Sequence, residues 1–465
     1  MKIVILGAGA YELAPALLDD LFVQTHTVCD LWLVDDSLDV AELTARAAQA
    51  LAKAAAIPAR FFYTSNPRKA LSGADYVLWC RDARDPQAFL RDQKALDAIG
   101  LGKQARPLGG IAGAMTALRE GGRLMDLCEQ MQRECPEAVL IVASGPVARL
   151  CEVAQRFGGI RALGLSPAPY EAAARFQALL GAKDAPEVIA AGTEGFSWAL
   201  SVQTDGAQRL EDVKQRLLLD AAAFRAREKE RRQQEAERQQ TKEQDARLSF
   251  DDLLKAPERE ERPDLISAQY VDWYDAVPAT GGEWQFLQDT PESPRLTALP
   301  MPYGEADQEL RLRHLAALAV HGPLKEEGRS AFDAMLKTGG PLRPMRLVHA
   351  LCGRAGALYV PGLVRPCDGS IPCVADGRFI QVPAAVSESG VFTQPMPPFP
   401  LALEELLDRV TESNLLYAQA AACGDRVALR EALEADPATD GIDLLYALDT
   451  VDALIDQSGD TLTRF

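Results

Sequence analysis

"KIVILGAGAYELAPALLDDLF", residues 2–22, decides how this chain begins. An apolar run, Lys2 to Leu6, feeds a turn with glycines at 7 and 9. Leu13, Leu17, Leu18 and Leu21 then fall on one face of a helix running from Leu13 to Phe22. A second apolar run, "LWLVDD" (31–36), ends on Asp35 and Asp36. Glycines at such a turn let a pyrophosphate approach the backbone, and an acid after the second strand can accept hydrogen bonds from an adenosine ribose. This strand–turn–helix–strand unit predicts a Rossmann-type fold. Gly7, Gly9, Ala10 and Asp35 become the candidate NAD contacts, against the alternative of a purely structural turn. One position departs from the pattern, because Glu12 stands where a third glycine or alanine is usual.

Further segments extend the alternation. "ADYVLWC" (74–80) and "AVLIVAS" (138–144) are continuous apolar strands of the parallel-sheet type. A long amphipathic helix (113–135) lies between them, "PVARLCEVAQRF" follows as a helix, and "RALGLS" (161–166) is a further strand. The expected fold class is α/β. A doubly wound parallel sheet spans 1–190, and an α+β substrate and oligomerisation lobe spans 191–465. Ligands in such sheets bind beyond the C-terminal strand ends, which here carry Gly7, Asp35, Arg81, Ser144 and Ser166. Ser144 joins the candidate cofactor contacts.

Composition limits the partners. The formal net charge is −18 over 465 residues. That argues against a nucleic-acid groove or an anionic membrane surface, since phosphate contacts need clustered Lys and Arg. The nine cysteines show no metal-binding spacing, and Cys367 and Cys373 read as free thiols. The first strand starts at once, with no apolar leader, so a cytoplasmic protein without a membrane span is expected.

The order of several segments resembles the family 4 glycoside hydrolases. The likeness rests on "ADYVLWCRDARDPQAFLRDQKALDAIGLGKQ" with "LGGIAGAMTALR", then "LMDLCEQMQRECPEAVLIVASGP" and "VIAAGTEGFSWALSV". It continues through "GSIPCVADGRFIQVPAAVSESGV" and "AAACGDRVALREALEADP", so it runs nearly end to end. The resemblance implies NAD, Mn or another divalent metal, a sugar or sugar-phosphate ligand, and a homodimer or homotetramer. It also implies chemistry outside the usual two-carboxylate scheme. A hydride passes from C3 to NAD, a base takes the C2 proton, and a metal stabilises the enediolate. Within the matching loops, Arg81, Arg84, Arg91 and Asp92 are implied substrate contacts. Salt bridges to nearby acids are the alternative reading for Arg81 and Arg84. Tyr270 and Tyr274 fall where the family places its tyrosine base; core tyrosines are the other reading.

At the metal site the chain departs from the family. The metal cysteine maps onto Ser166 and its polar neighbour onto Pro167. The metal histidine maps onto Gly195, its asparagine neighbour onto Glu194, and the asparagine of the strand-end "TNP" onto Gly145. Trp284 stands near a further histidine position. Ser166 and Glu194 remain as candidate ligand contacts, and Asp82, Asp85, His314 and His321 are conceivable replacement ligands. No metal set is assigned. Three functions follow as expectations: a family 4 hydrolase with lost or altered catalysis, a non-catalytic sugar- or NAD-binding protein, or a metal-independent NAD-dependent sugar dehydrogenase. A charged insertion at 222–262, whose only apolar side chains from 225 to 247 are alanines, is expected as a solvated helix.

Overall fold

The computed structural model describes residues 1–11, 13–81, 86–242, 264–281, 286–287, 305–459, 462 and 464–465. Its strands, in chain order, begin with β1 (Lys2–Leu6), β2 (Asp30–Val34), β3 (Arg60–Thr64), β4 (Tyr76–Trp79), β5 (Val139–Val142) and β6 (Ala162–Leu165). Next come β7 (Glu187–Thr193), β8 (Phe196–Thr204), β9 (Ala207–Gln208) and β10 (Val277–Pro278). The last are β11 (Leu358–Pro366), β12 (Phe379–Ser387) and β13 (Gly390–Thr393).

The first six strands are parallel in the order β3-β2-β1-β4-β5-β6. The apolar runs of β1, β2, β4, β5 and β6 are continuous because both faces are covered, whereas β3 at the end of the sheet is partly exposed. Ile3 and Ile5 enter one core, while Val4 and Leu6 enter the core on the other side. Leu78 and Ile141 repeat the first pattern; Val77, Trp79, Leu140 and Val142 repeat the second. Strand order reverses at β1, so the crevice at its C-terminal end is the topological switch point.

The second lobe does not form a separate sheet. β11 pairs antiparallel with β6, matching Leu363 to Leu165 and Val364 to Gly164. β12, β7, β8 and β10 then extend the same sheet. Without β11 the buried β6 would end the sheet with unpaired backbone groups, and pairing removes that edge. The C-terminal helices Glu404–Cys423, Arg426–Ala435 and Leu444–Ser458 return to cover the helix Gly110–Glu134. There Ile111, Met115 and Leu118 share a core with Tyr417, Leu429, Leu433 and Leu454.

Two helices differ from expectation. The first helix is α only over Leu13–Asp19 and widens to a π turn at Asp20–Gln24. The charged helix starts earlier, at Leu210, and runs to Lys242, with 33 residues spanning about 50 Å. Val213, Leu217, Ala221 and Phe224 hold its first half in a core; past Phe224 the described side chains are exposed or half-buried. The rest of the insertion, 243–263, lies outside the described residues.

The π turn places Asp20, fully buried, against the helix Pro344–Leu351. Its Oδ2 accepts from the amides of Met345 (2.8 Å) and Arg346 (3.1 Å), capping that helix across the lobes. Burial pushes its carboxyl up to about 6, against partial relief from those amides and Arg346. A carboxyl held above its unfolded value binds its proton more tightly when folded. Stability is therefore lost as pH rises from about 4 to 6, by roughly 3 kcal/mol at about 1.4 kcal/mol per pH unit. Asp20→Asn keeps one acceptor oxygen and is expected to flatten this slope. Thermal unfolding midpoints of both proteins between pH 4 and 7 check it, and parallel curves would remove Asp20 as the source.

Candidate functional site

The glycine turn follows directly from β1. The amides of Gly7 and Ala8 both donate to the Val34 carbonyl, at 2.9 and 3.0 Å, folding the chain back over the end of β2. Gly7 has φ +85°, and a Cβ there would lie 2.5 Å from Arg81 Cα. Only glycine satisfies both demands. Asp35 accepts the Gly9 amide at 2.9 Å through Oδ2 and the Ser37 amide at 3.1 Å through Oδ1. The acid after β2 therefore braces the turn it faces.

Beyond this turn lies a cavity of about 260 Å³, lined by Gly7, Gly9, Ala10, Tyr11, Asp35 and Asp36. Val40 and Arg81 close one side; Gln308, Arg311 and Leu312 close the other. Four of the five expected cofactor positions thus meet in one pocket. Ser144, the fifth, sits at the end of β5 and donates to the Trp79 carbonyl at 3.5 Å. A cradle without side chains beside a carboxylate pair suits the pyrophosphate and ribose of NAD.

The described members of the expected substrate contacts stand in different surroundings. Arg81 stands in the glycine-turn pocket, where both Asp36 oxygens accept from it at 3.0 and 2.6 Å. This is the salt-bridge reading of that arginine, and the pairing holds the Asp36 carboxyl below its usual value. Arg84, Asp82, Asp85 and Trp284 lie outside the described residues. Arg91 is exposed on the helix Pro86–Ala98. Asp92, one residue on, is turned inward and ion-paired with Arg119, both about 4% exposed. In that pair the carboxylate neutralises a buried guanidinium.

The metal-site positions are closed in three different ways. Ser166 is 2% exposed, and its hydroxyl donates to Gln381 Oε1 at 2.8 Å. Gln381, fully buried on β12, in turn donates to the Ala190 carbonyl at 3.2 Å. Gly195 has φ +74° in the turn between β7 and β8. A Cβ there would lie 2.7 Å from Leu108 Cδ1 and 3.1 Å from Phe286 Cε2, so apolar groups crowd this position. Glu194 is half-buried; its Oε2 accepts the Val147 amide at 2.6 Å, and its Oε1 would be 2.1 Å from a Cβ on Gly145. Glycine at 145 and glutamate at 194 thus fit each other.

The two tyrosines share an aromatic cluster on the helix Leu265–Tyr274. Tyr270 is fully buried, with ring centroids 6.1 Å from Trp198 and 6.2 Å from Tyr274. Burial pushes the Tyr274 phenol up, the wrong direction for a base. His314 and His321 both lie on the helix Glu305–His321. Among the described residues no group of three or more His, Cys, Asp or Glu could hold a metal. Buried Ser166 and apolar-walled Gly195 do not supply the cysteine and histidine donors that the family resemblance implies for a metal here.

Comparison with known proteins then settles the lineage. A model of the "Family 4 glycosyl hydrolase" matches residues 2–182, and one of the "Family 4 glycosyl hydrolase C-terminal domain" matches residues 191–439. The chain belongs to glycoside hydrolase family 4. Among curated relatives, an alpha-galactosidase of Rhizobium meliloti is 24% identical over 208 residues, covering 44% of this chain and 42% of that protein. A 6-phospho-beta-glucosidase of Escherichia coli is 26% identical over 166 residues, covering 35% of this chain and 36% of that protein. The matched stretches thus span less than half of these family 4 relatives. Over the whole fold, a 6-phospho-alpha-glucosidase from gut microorganisms, solved with NAD and glucose-6-phosphate, superposes with a TM-score of 0.72. It is 17% identical and covers 99% of each chain. The 6-phospho-beta glucosidase of Thermotoga maritima, solved with NAD and glucose-6-phosphate, gives a TM-score of 0.67 at 14% identity and 99% coverage of each.

Sequence reasoning misses Tyr11, Arg311, Gln381, Leu108 and Phe286. Arg311 sits in "LRLRHL" beside an equivalent-looking Arg313, so local pattern carries no signal for it. Gln381 falls within a segment that resembles the family, but its contact with Ser166 spans 215 residues.

Proposed function

We propose that this family 4 protein keeps a dinucleotide-binding turn and has lost the metal-assisted glycoside chemistry of its lineage. The carrying observation is the pair of filled metal positions: Ser166 bonded to Gln381, and Gly195 walled by Leu108 and Phe286. A metal that stabilises an enediolate contributes several kcal/mol to the transition state, and neither position offers it a thiolate or an imidazole. The setting of Tyr274 supports the same reading, because burial raises its phenol and a phenol acts as base only when its pKa is lowered. A sugar or sugar phosphate is the small-molecule ligand this lineage suggests, bound without bond cleavage. The cofactor pocket is the part whose chemistry is intact: turn, brace and acid pair remain together.

Two assays test the two halves separately. With NAD, Mn and nitrophenyl glycosides or their 6-phosphates, no turnover is expected; turnover that stops on adding a chelator would overturn the loss of metal chemistry. NADH fluorescence should show saturable binding to the parent protein and none to Gly9→Asp. At that site even a Cβ would meet Val40 Cγ1 at 2.1 Å and Asp35 Oδ2 at 3.3 Å. An unsaturable parent signal would remove the dinucleotide reading. Oxidation of free sugars with NADH formation would instead favour a sugar dehydrogenase.

A further inference from the structure

A second cavity, of about 380 Å³, lies at the other end of the first helix from the glycine turn. It is lined by Gln24 and Thr25 at the close of the π turn, by Arg346 and His349 of the helix Pro344–Leu351, and by Gly356 and Leu358 at the approach to β11. It shares no lining residue with the glycine-turn cavity. His349 is 9% exposed, and its Nε2 lies 2.8 Å from Thr27 Oγ1, which lies 2.7 Å from Thr25 Oγ1. The Thr25 hydroxyl donates to the Asp20 carbonyl, which can only accept. Thr25 therefore accepts from Thr27, Thr27 accepts from His349, and the imidazole hydrogen sits on Nε2. Burial, and after it the Arg354 charge, hold the imidazole below its usual value, so the ring is neutral near pH 7. Its Nδ1 is left as a lone-pair acceptor with no hydrogen-bond partner among the described residues.

Arg346 brings donors to the same cavity. Its Nε stands 3.5 Å from Asp20 Oδ1, and neither Nη group has a partner among the described residues. With its side chain 48% exposed, the fork is held at one nitrogen and open at the other two. We infer that this cavity binds a small hydroxylated anion, with its carboxylate or phosphate on the Arg346 Nη pair and a hydroxyl donated to His349 Nδ1. The inference is independent of the dinucleotide reading, because the two cavities have no residue in common. Two parallel N–H groups of a guanidinium match two oxygens of a carboxylate or phosphate. The acid beside it, Asp20, is fully buried and already accepts two backbone amides through Oδ2, while Arg354 adds positive charge near His349. In a chain of net charge −18 such a locally basic pocket is where an anion enters with least repulsion. The bare Nδ1 selects further: it repels a second acceptor and takes a hydroxyl hydrogen. An anion without a hydroxyl therefore fills half of the site, and the cavity has room for a molecule larger than a single ion.

Calorimetric titration of the full chain tests this with four probes. Glycerol 3-phosphate and glycerate carry both groups, inorganic phosphate carries the anion alone, and glycerol carries hydroxyls alone. Saturable binding is expected for at least one of the first two, with phosphate and glycerol weaker by about 10-fold or more. Binding of glycerol 3-phosphate alone would mark a phosphorylated polyol as the ligand, and of glycerate alone a hydroxy acid. Arg346→Gln should weaken the bound probe by about 10-fold to 100-fold. His349→Phe should bring that probe down to the level of inorganic phosphate and leave phosphate itself within about twofold. Circular dichroism checks folding, and the half-exposed Arg346 carries the test if the His349 variant fails to fold. A parent protein that binds none of the probes would overturn the inference, as would unchanged affinity in folded Arg346→Gln. Equal affinity for phosphate and for the hydroxylated anions would overturn it too, because no hydroxyl would then be meeting Nδ1.

Discussion

Asp92→Asn is expected to cost about 3–5 kcal/mol of stability. Asp92 and Arg119 are both almost wholly buried, and their side chains meet directly. The neutral amide would leave the guanidinium charged in a low-dielectric interior without its carboxylate partner. Chemical denaturation should show an earlier midpoint with an unchanged slope. Replacing both residues, Asp92→Leu with Arg119→Met, should recover part of the loss, because the Arg119 guanidinium is then no longer buried without its carboxylate. If Asp92→Asn keeps parent stability while abolishing a ligand response, Asp92 faces a ligand after all. The resemblance would then have read its role better than its burial does.

Gly195→His, the change that restores the family's metal histidine, is expected to destabilise the fold rather than rebuild a centre. The backbone there has φ +74°, which costs a side-chain-bearing residue about 1–2 kcal/mol. The new Cβ would press on Leu108 and Phe286, and overpacking of that kind costs about 1–3 kcal/mol more. The imidazole would also enter the aromatic core that holds Trp198 and Tyr270. The expected readings are a lowered thermal midpoint and no gain in Mn binding by titration, even when combined with Ser166→Cys. A stable double variant that binds Mn tightly and turns over glycosides would show that the centre is merely vacated, and would sink the proposed loss.

Arginines and acids in the loops were harder to read than the strands. Arg81 follows β4 in a stretch resembling the family's arginine-rich loop, yet it bonds Asp36 beyond the end of β2. Arg91 and Asp92 are neighbours in sequence and part company in space, one exposed and one buried. Helix phase decides that, and a short motif does not encode which face of the helix will be covered. Glu194 behaves likewise: its carboxylate meets the Val147 amide 47 residues away, beside a glycine whose missing side chain makes room.

By itself the sequence determined five of the six parallel strands, because buried strands appear as local apolar runs and their turns as glycines; β3, partly exposed at the end of the sheet, carries no such run. Gly7 and Asp35 were legible for that reason: one needs a backbone conformation no other residue takes easily, and the other sits at a fixed distance after a strand. It also carried the departures at Ser166, Pro167 and Gly195, since a missing ligand is visible as a letter. Only the tertiary structure decided what fills those places and what completes the pocket. Gln381, Phe286 and Arg311 arrive from segments far along the chain, on a sheet that joins both lobes. Such contacts are set by how the second lobe packs on the first, and that packing follows from burying whole faces of helices and strands, which no local spacing of residues specifies.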